Sequence, residues 1–429
     1  TSAGEVTSVH YNRGKDLAVA RRSADVSPGA ARATAAAATG QRGQSATELV
    51  VYAVEGTPRL AWEVRSDGIQ ADQTPSRRVT YVDAATGALI ESIEEIVTGT
   101  GNSQYSGTVS LATISSGGVF QLKDAHGNYA TDLNGATSGT GTLFTDADDV
   151  WGNGSITSRQ TAGVDAEYGA EQTYAFYAAV LGRAGIWNNG TGARSRVHYG
   201  NGYNNAFWDG TQMTYGDGTG NAKPLTSIDV AGHEMSHGVT SNTANLAYRK
   251  ESGGLNEATS DIFGTMVEYY ANTAADPADY VMGEELYPNN ANMSNAIRWM
   301  FKPTLDNYSQ HCYDPATTPT FEVHGGSGIA NSFFYLLAEG AVVPAGFGAG
   351  SWANLSASSL VCNGNTALTG IGRDAAGKIW YRALTVYMTS GTNYAGARAA
   401  TISAATDLYG GTSAQTNAVK AAWSAVNVN

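Results

Sequence analysis

The sequence predicts an α+β protein in which a small α+β module, residues 1–96, precedes a larger unit of two parts. Residues 97–240 contain short runs of alternating polar and apolar positions separated by glycines, which is typical of half-buried strands. Residues 241–429 contain longer segments whose apolar positions recur at helical spacing. We therefore expect a β-rich part followed by a mainly helical part after the first module.

One helix and a small antiparallel sheet account for the first module. Ser27 and Pro28 predict the start of an alanine-rich helix and Gly40 its end, because serine caps a helix, proline fits its first turn and glycine suits its C-terminus. Strand-like runs follow at residues 47–54, 59–64, 78–83 and 88–96. This module carries no candidate metal ligands.

In the larger unit, strand periodicity is clearest at residues 107–111, and helices begin near Val164 and Ser227. Further helices are predicted at residues 255–270, 328–338, 378–388, 395–408 and 416–426. The helix after Ser227 joins the two parts, and a cleft is expected at such a junction.

That joining helix carries the motif His-Glu-Met-Ser-His at residues 233–237. At about 3.6 residues per turn, His233 and His237 lie on one face, and Glu234 lies about 100° around the helix. The two imidazoles are then placed to ligate one metal ion, and the carboxylate is placed to contact a water molecule bound to that ion. The alternative is a pair of surface histidines that bind nothing.

A third ligand favours the metal site. Glu257 follows His237 by twenty positions, at the start of a second predicted helix. Two histidines and one glutamate leave the fourth tetrahedral position of zinc open for water, which distinguishes catalytic from closed structural sites. The pattern indicates a metallopeptidase.

Further acidic residues share faces with these ligands. Asp229 precedes His233 by four positions, and Asp261 and Glu268 share the face of Glu257. Antiparallel packing of the two helices would bring Asp261 to a ligand histidine as a hydrogen-bond partner. It would also bring Glu268 toward Asp229, and such a carboxylate pair favours a hard cation, so we expect calcium.

After residue 97 the chain resembles the thermolysin family of secreted zinc endopeptidases. Besides the zinc motifs, family blocks occur in order as Asn-Asn-Ala-Phe-Trp (204–208), Met-Thr-Tyr-Gly-Asp-Gly (213–218), Val-His-Gly-Gly-Ser-Gly-Ile (323–329) and Gly-Ile-Gly-Arg-Asp (370–374). The resemblance implies a thermolysin-like two-lobe catalytic unit, with a β-rich lobe at 97–240 and a helical lobe at 241–429. It also implies Zn²⁺, Ca²⁺, peptide substrates and an extracellular location.

The resemblance implies a role for each matching residue. Zinc ligation falls to His233, His237 and Glu257, and the role of general base falls to Glu234. Stabilisation of the oxyanion falls to Tyr248 and His324, for which the alternatives are a core tyrosine and a structural histidine. The substrate backbone is held by Arg298, Asn205 and the main chain of Ala206.

The primed-side pocket of the family corresponds to Leu225, Val230 and Ile297. These apolar residues favour a bulky apolar residue just after the scissile bond, with broad selectivity because one methylene changes binding by only about 1–3 kcal/mol. The alternative is that all three are ordinary core residues.

Two regions depart from the family pattern. Pro319 occupies the position of the aspartate that orients the oxyanion histidine, and Glu322 resembles its replacement in the pseudolysin branch; the alternative is a solvated loop glutamate. In the calcium region Asp279 and Glu284 match family ligands, but Val281 offers no side-chain oxygen. We therefore expect one calcium ion rather than two.

A second family calcium site is incomplete. Asp146 and Asp148 match two of its ligands, but Val150 occupies another ligand position. Elsewhere, Cys312 and Cys362 are the only cysteines and lack metal-binding spacing, which leaves a disulfide or two buried thiols open.

Charge and hydropathy argue against a nucleic-acid-binding protein and against a membrane-spanning protein. A net charge of −13, with 25 Lys and Arg against 38 Asp and Glu, argues against nucleic-acid binding. The longest apolar stretch, residues 333–350, contains Glu339, Pro344 and several glycines, so no membrane span is predicted. We expect a monomer.

The first module resembles the C-terminal half of the propeptide of thermolysin relatives, which assists folding and inhibits the enzyme until it is cut away. Residues 97–101 resemble the mature start of these enzymes, which predicts self-cleavage between Ile96 and Val97. The alternative is an accessory module. For the whole chain, the alternatives are an inactive relative that binds peptides or calcium, and a zinc amidase that acts on small amides.

Overall fold

The computed structural model describes residues 19, 21, 23–41, 43–53, 58–69, 75–94, 97–116 and 118–429. The chain divides into two compact units, Thr1–Thr98 and Gly99–Asn429. Ile96, which precedes the predicted cleavage position, lies outside the described residues.

The first unit contains one helix on an antiparallel four-stranded sheet of order β1-β2-β3-β4. Ser27 accepts a hydrogen bond from the main chain of Ala30, and Gly40 has a φ of 73°, so both helix ends lie where the sequence predicts. Ala31 and Ala35 pack with apolar side chains of the sheet, including Trp62. The elements are α1 (Pro28–Thr39), β1 (Gly43–Tyr52), β2 (Arg59–Ile69), β3 (Pro75–Asp83) and β4 (Leu89–Glu94).

The strands of the second unit lie mostly in its first half, as predicted. One sheet has the order β10-β7-β6-β5-β11, a second has the order β13-β14-β12-β8-β9, and β15 pairs with β16. The strands are β5 (Val97–Asn102), β6 (Thr108–Ser116), β7 (Val119–Gln121), β8 (Tyr129–Asp132), β9 (Thr142–Leu143), β10 (Thr145–Asp146), β11 (Val150–Trp151), β12 (Arg194–Val197), β13 (Ala206–Trp208), β14 (Met213–Tyr215), β15 (Val281–Met282) and β16 (Arg298–Trp299).

Helices dominate the second half, which confirms the predicted α+β class. They are α2 (Arg159–Leu181), α3 (Ile228–Ser241), α4 (Lys250–Ala271), α5 (Val323–Gly326), α6 (Gly328–Glu339), α7 (Arg373–Arg382), α8 (Tyr394–Tyr409) and α9 (Ala414–Ala425). Single 3₁₀ turns lie at Thr219–Asn221, Glu284–Leu286, Pro303–Asp306, Thr318–Thr320 and Ala357–Leu360, and a π-helical turn, Ala383–Tyr387, follows α7.

The start of α4 differs from the sequence prediction. The predicted helix begins at residue 255, but α4 begins at Lys250 and includes Gly253 and Gly254. A Cβ on Gly253 would lie 2.3 Å from Cγ1 of Val323, so this glycine lets α5 pack directly on the first turns of α4. Tertiary packing therefore overrides the low helix propensity of glycine.

Two glycines bring α3 and α4 unusually close together. A Cβ on Gly232 would lie 3.0 Å from Cα of Gly264, and a Cβ on Gly264 would lie 2.4 Å from the carbonyl oxygen of Asp229. The two helices run antiparallel, as predicted, because Asp229 contacts the later part of α4 and His237 the earlier part. The short distance between their backbones lets side chains on the facing surfaces meet.

Cys312 and Cys362 form a disulfide whose Cα atoms are 5.9 Å apart, which answers the question that the sequence left open. Of the helices in the described part of the chain, none combines the length and the apolar character that a membrane span needs.

Candidate functional site

Two imidazoles and one carboxylate converge between α3 and α4. Nε2 of His233 lies 3.0 Å from Nε2 of His237. Oε2 of Glu257 lies 3.4 Å from Nε2 of His233, and Oε1 lies 3.4 Å from Nε2 of His237. The structure thus brings together the three residues that the sequence predicts as zinc ligands.

The dimensions of this triangle fit zinc. Ligands at about 2.0–2.1 Å in a tetrahedral zinc site lie about 3.3 Å from one another, and the three observed separations are 3.0–3.4 Å. Oε2 of the buried Glu257 has no hydrogen-bond partner among the described residues. A cation at the centre would satisfy this oxygen and both Nε2 atoms.

The electrostatics of the triangle also favour a cation. Although burial lowers it, the carboxylates of Asp261 and Glu257 raise the pKa of His233 to about 10, so the pocket attracts positive charge. Burial lowers the pKa of His237 to about 4, which keeps this imidazole in the neutral form that ligates metals.

Asp261 takes part in four hydrogen bonds, one of them to His233. Its Oδ1 lies 2.8 Å from Nδ1 of His233 and 2.5 Å from Nη2 of Arg298. Its Oδ2 accepts hydrogen bonds from Nε of Arg298 and Nδ2 of Asn331, each at 2.8 Å. Although burial raises it, Arg298 and His233 lower the pKa of Asp261 to about 2, and this ionised carboxylate fixes the orientation of the imidazole.

Asn256 supports the second imidazole. Its Oδ1 lies 2.7 Å from Nδ1 of His237, and its Nδ2 donates to the carbonyl oxygen of Leu246 at 2.9 Å. Neither Asn256 nor Asn331 was predicted from the sequence. Asn256 could have been identified from the sequence, because it directly precedes Glu257. Asn331 is remote in sequence, and no local motif marks it as part of the site.

Glu234 is buried on the wall of the cleft beside the three ligands. Burial raises its pKa to about 7, although the positive charges of His233 and Arg298 oppose the shift. A carboxyl group with a pKa near neutrality can accept and release a proton under physiological conditions.

Tyr248 and His324 lie together beside Glu257. The Tyr248 hydroxyl donates to Oε1 of Glu257 and lies 3.2 Å from Nε2 of His324. Tyr248 is 54% exposed, so it is not a core tyrosine. Nδ1 of His324 lies 2.7 Å from Oε1 of Glu322, so this glutamate contacts the histidine rather than only solvent.

A cleft of about 630 Å³ runs alongside these residues. It is lined by the three predicted backbone-binding residues, Asn205, Ala206 and Arg298, and by the three predicted pocket residues, Leu225, Val230 and Ile297. Met282 also lines it and was not identified from the sequence. Arg298 lines the cleft, and its guanidinium donates a hydrogen bond to Asp261.

A cluster of acidic residues, separate from the zinc ligands, lies near the C-terminal end of α4. Glu268, Asp276, Glu284 and Glu285 each offer an oxygen within 4.8 Å of the others. This group differs from the predicted calcium ligands, because it includes Asp276 and Glu285 and omits Asp229 and Asp279.

Hydrogen bonds to protein groups explain why Asp229 does not belong to this cluster. Its carboxylate accepts from the Ser227 hydroxyl and from the main chain of Val230 and Gly283. Asp279 remains adjacent, with Oδ1 bonded to the main chain of Val281. In the part of the chain that the structure describes, six carboxylate oxygens here are buried without a partner, on Glu268, Asp276 (both oxygens), Asp279, Glu284 and Glu285.

At the incomplete second calcium position, the carboxylates are occupied by protein groups. Asp146 accepts hydrogen bonds from the main chain of Asp148 and the side chain of Gln160, and Asp148 accepts one from the main chain of Val150. This arrangement is a local turn and offers no set of free ligands.

Comparison with known proteins agrees with this geometry. Residues 98–241 match the family model of the thermolysin metallopeptidase catalytic domain, and residues 244–428 match that of its alpha-helical domain. The chain is 46% identical over 438 residues to the transglutaminase-activating metalloprotease of Streptomyces mobaraensis; the alignment covers 100% of this chain and 56% of that protein.

Two further relatives extend the comparison. The thermostable neutral protease NprT of Geobacillus stearothermophilus is 38% identical over 408 residues, which cover 89% of this chain and 69% of that protein. The solved precursor of protealysin, a metalloproteinase from Serratia proteamaculans, superposes with a TM-score of 0.53 at 30% identity, covering 70% of this chain and 87% of that one. This chain therefore belongs to the thermolysin family of zinc metalloendopeptidases.

Proposed function

We propose that the chain hydrolyses internal peptide bonds of proteins, with His233, His237 and Glu257 as zinc ligands and Glu234 as the general base. The observation that carries this proposal is the triangle of ligand atoms at 3.0–3.4 Å beside a buried carboxyl group in an open cleft. Zinc held there would polarise the scissile carbonyl and acidify a coordinated water.

Glu234 then moves the proton. Its carboxylate takes a proton from the attacking water and passes it to the nitrogen of the leaving amine, so that no covalent enzyme intermediate is needed. The pKa of about 7 that burial gives to this side chain suits both steps.

Tyr248 and His324 stabilise the negative charge that develops on the carbonyl oxygen. Their polar atoms lie 3.2 Å apart beside Glu257, so two donors converge next to the ligand triangle. Glu322 holds Nδ1 of His324 and thereby directs Nε2 toward the cleft. Asn205, Arg298 and the main chain of Ala206 hold the peptide backbone along the wall.

Substrate preference follows from the apolar side of the cleft. Leu225, Val230 and Ile297, joined by Met282, favour a bulky apolar residue directly after the scissile bond. Peptides with Leu or Phe at this position should be cut about tenfold to a hundredfold faster than peptides with Gly or Asp, in keeping with the free energy of burying an apolar side chain.

We also propose a calcium site at the acidic cluster. The six buried, unpartnered oxygens equal the lower limit of the six to eight ligands that calcium takes. One ion therefore remains our expectation, with Asp276 and Glu285 among its ligands and Asp229 as a hydrogen-bonded neighbour.

The protein is proposed to be a secreted, monomeric zymogen whose first unit is an inhibitory propeptide. Support for a zymogen comes from the likeness to the solved precursor of protealysin. N-terminal sequencing of active material tests the cleavage position: the mature chain should begin within a few residues of Val97.

The decisive experiment compares wild type with Glu234→Gln. The variant should retain one zinc ion per chain and lose turnover of casein by about 10³-fold or more, because only proton transfer is removed. Wild type should lose activity to a zinc chelator and regain it with zinc. Retained activity in the variant, or its loss of zinc, would contradict the assigned role.

The same assays separate the alternatives. An inactive peptide-binding or calcium-binding relative would leave casein intact with or without chelator. A zinc amidase would hydrolyse short amides as fast as long peptides, whereas an extended cleft predicts that kcat/KM rises as the peptide lengthens on both sides of the scissile bond.

A further inference from the structure

A sulfur–imidazole cluster, made of His311, Cys312 and Cys362, lies outside the zinc site. One ligand atom from each residue falls within 4.8 Å of the other two. The two sulfurs are joined in a disulfide that closes a separation of 50 residues. Both cysteines are partly exposed, so solutes can reach them.

The burial and hydrogen bonding of His311 are those expected of a histidine that can bind a metal ion. The residue is 4% exposed, and its Nδ1 lies 2.8 Å from the Ser332 hydroxyl. Its buried Nε2 has no hydrogen-bond partner among the described residues. The main chain of Leu360 lies near the ring, but its contact falls short of a hydrogen bond.

The ring of His311 is buried, with Nδ1 beside the Ser332 hydroxyl and Nε2 without a hydrogen-bond partner among the described residues. A neutral ring with one nitrogen held by a protein group and the other free is the form that binds transition metals.

We propose that, when the disulfide is reduced, Cys312, Cys362 and His311 bind a zinc ion. A dithiol reductant supplies two electrons and two protons, forming its own disulfide and leaving two cysteine thiols. Zinc then displaces the two thiol protons and takes two thiolate ligands and one imidazole, with solvent as the fourth ligand.

The geometry allows this exchange. Zinc–sulfur bonds of about 2.3 Å set the two sulfurs about 3.8 Å apart, which the side chains can reach from Cα atoms 5.9 Å apart. Two thiolates and an imidazole select zinc over calcium, because soft ligands disfavour hard cations. Cys312 and Cys362, 50 residues apart in sequence, would thus be cross-linked by the disulfide under oxidising conditions and by the metal ion under reducing conditions.

Cobalt provides a direct test that does not depend on peptide hydrolysis. Glu234→Gln protein with its catalytic zinc in place is reduced with a phosphine, and Co²⁺ is added without oxygen. We expect one additional cobalt per chain and a thiolate-to-cobalt charge-transfer band, both removed by one equivalent of zinc. The oxidised protein should show neither, since the catalytic ligands include no sulfur.

Variants identify the ligands. His311→Gln should weaken cobalt binding at least tenfold, whereas His126→Gln, a histidine that stacks on Tyr174 elsewhere in the same unit, should leave it unchanged. Cys312→Ser with Cys362→Ser should abolish the band. A band of equal strength and affinity in His311→Gln, or no band in the reduced parent, would overturn the proposal.

Folding is followed in parallel by near-ultraviolet circular dichroism. If reduction loosens this region, zinc should restore the native spectrum of the parent and fail to restore that of His311→Gln. Equal recovery in both proteins, or no recovery in the parent, would also overturn the proposal.

Discussion

Oε1 of Glu322 lies 2.7 Å from Nδ1 of His324, two residues later in the chain. The other oxygen of Glu322 accepts hydrogen bonds from the main chain of His324 and Gly325, so the same carboxylate caps α5. One side chain therefore orients the imidazole and starts the short helix that carries it.

We predict that Glu322→Ala lowers kcat/KM about tenfold to a hundredfold, mainly through kcat, because His324 loses its orientation in the transition state. Glu322→Gln should lose less, since its single amide oxygen keeps one of the two acceptor roles, toward Nδ1 of His324 or toward the main chain of α5. Steady-state kinetics with one peptide substrate check both values. Equal losses in the two variants would contradict the role of Glu322 as a hydrogen-bond acceptor, and thermal unfolding measures its contribution as a helix cap.

A second prediction concerns Asn331, whose Nδ2 donates to Oδ2 of Asp261 at 2.8 Å. Asn331→Leu leaves the buried carboxylate with one hydrogen bond fewer, so Asp261 should hold His233 less firmly. We expect zinc to bind about tenfold more weakly, as measured by competition with a chromophoric chelator. A fall in unfolding temperature with unchanged zinc affinity would assign Asn331 a purely structural role.

The sequence was sufficient where chemistry and helical spacing coincide. His233, His237 and Asp261 lie on helix faces whose period is fixed, so their convergence could be predicted from position alone. Asn331 could not be found in this way, because it reaches Asp261 from α6, a helix distant in sequence. Contacts between remote elements depend on how the helices pack, which local spacing does not encode.

The acidic cluster illustrates the same limit. Glu268 was predicted because it shares a helix face with Glu257. Asp276 lies in an irregular segment and Glu285 in a single 3₁₀ turn, so no extended period relates either side chain to the helix faces. Asp229 was assigned to the metal because it shares a helix face with His233. Its hydrogen bond from the main chain of Gly283 comes from a remote loop and leaves no trace in the sequence.

A third prediction tests the close packing of α3 on α4. Gly264→Ala places a Cβ 2.4 Å from the carbonyl oxygen of Asp229, a backbone atom that cannot move aside alone. We expect a loss of about 1–3 kcal/mol in the free energy of unfolding, with weaker zinc binding as the helices separate. Gly377→Ala in α7 is the control, since its nearest neighbour is the flexible end of Met266 at 3.3 Å. Equal stability of the two variants would contradict the argument.

The last prediction concerns calcium and pH. Burial and repulsion from Glu285 raise the pKa of Asp276 to about 9, and burial raises that of Asp279 to about 7. Both values exceed those of an unfolded aspartate, so the calcium-free folded protein binds more protons than the unfolded chain between about pH 4 and about pH 9. Its stability should therefore fall as the pH rises through this window.

Calcium should reverse this trend, because it takes the place of the protons and binds best to ionised carboxylates. We expect calcium to raise the unfolding temperature of zinc-loaded Glu234→Gln protein much more at about pH 8 than at about pH 5.5. Asp276→Asn should flatten the pH dependence of the calcium-free protein and weaken its response to calcium. Asp407→Asn, on the exposed surface of α8, is the matched control and should change neither. An equal calcium effect at both pH values would show that these buried carboxylates do not control stability.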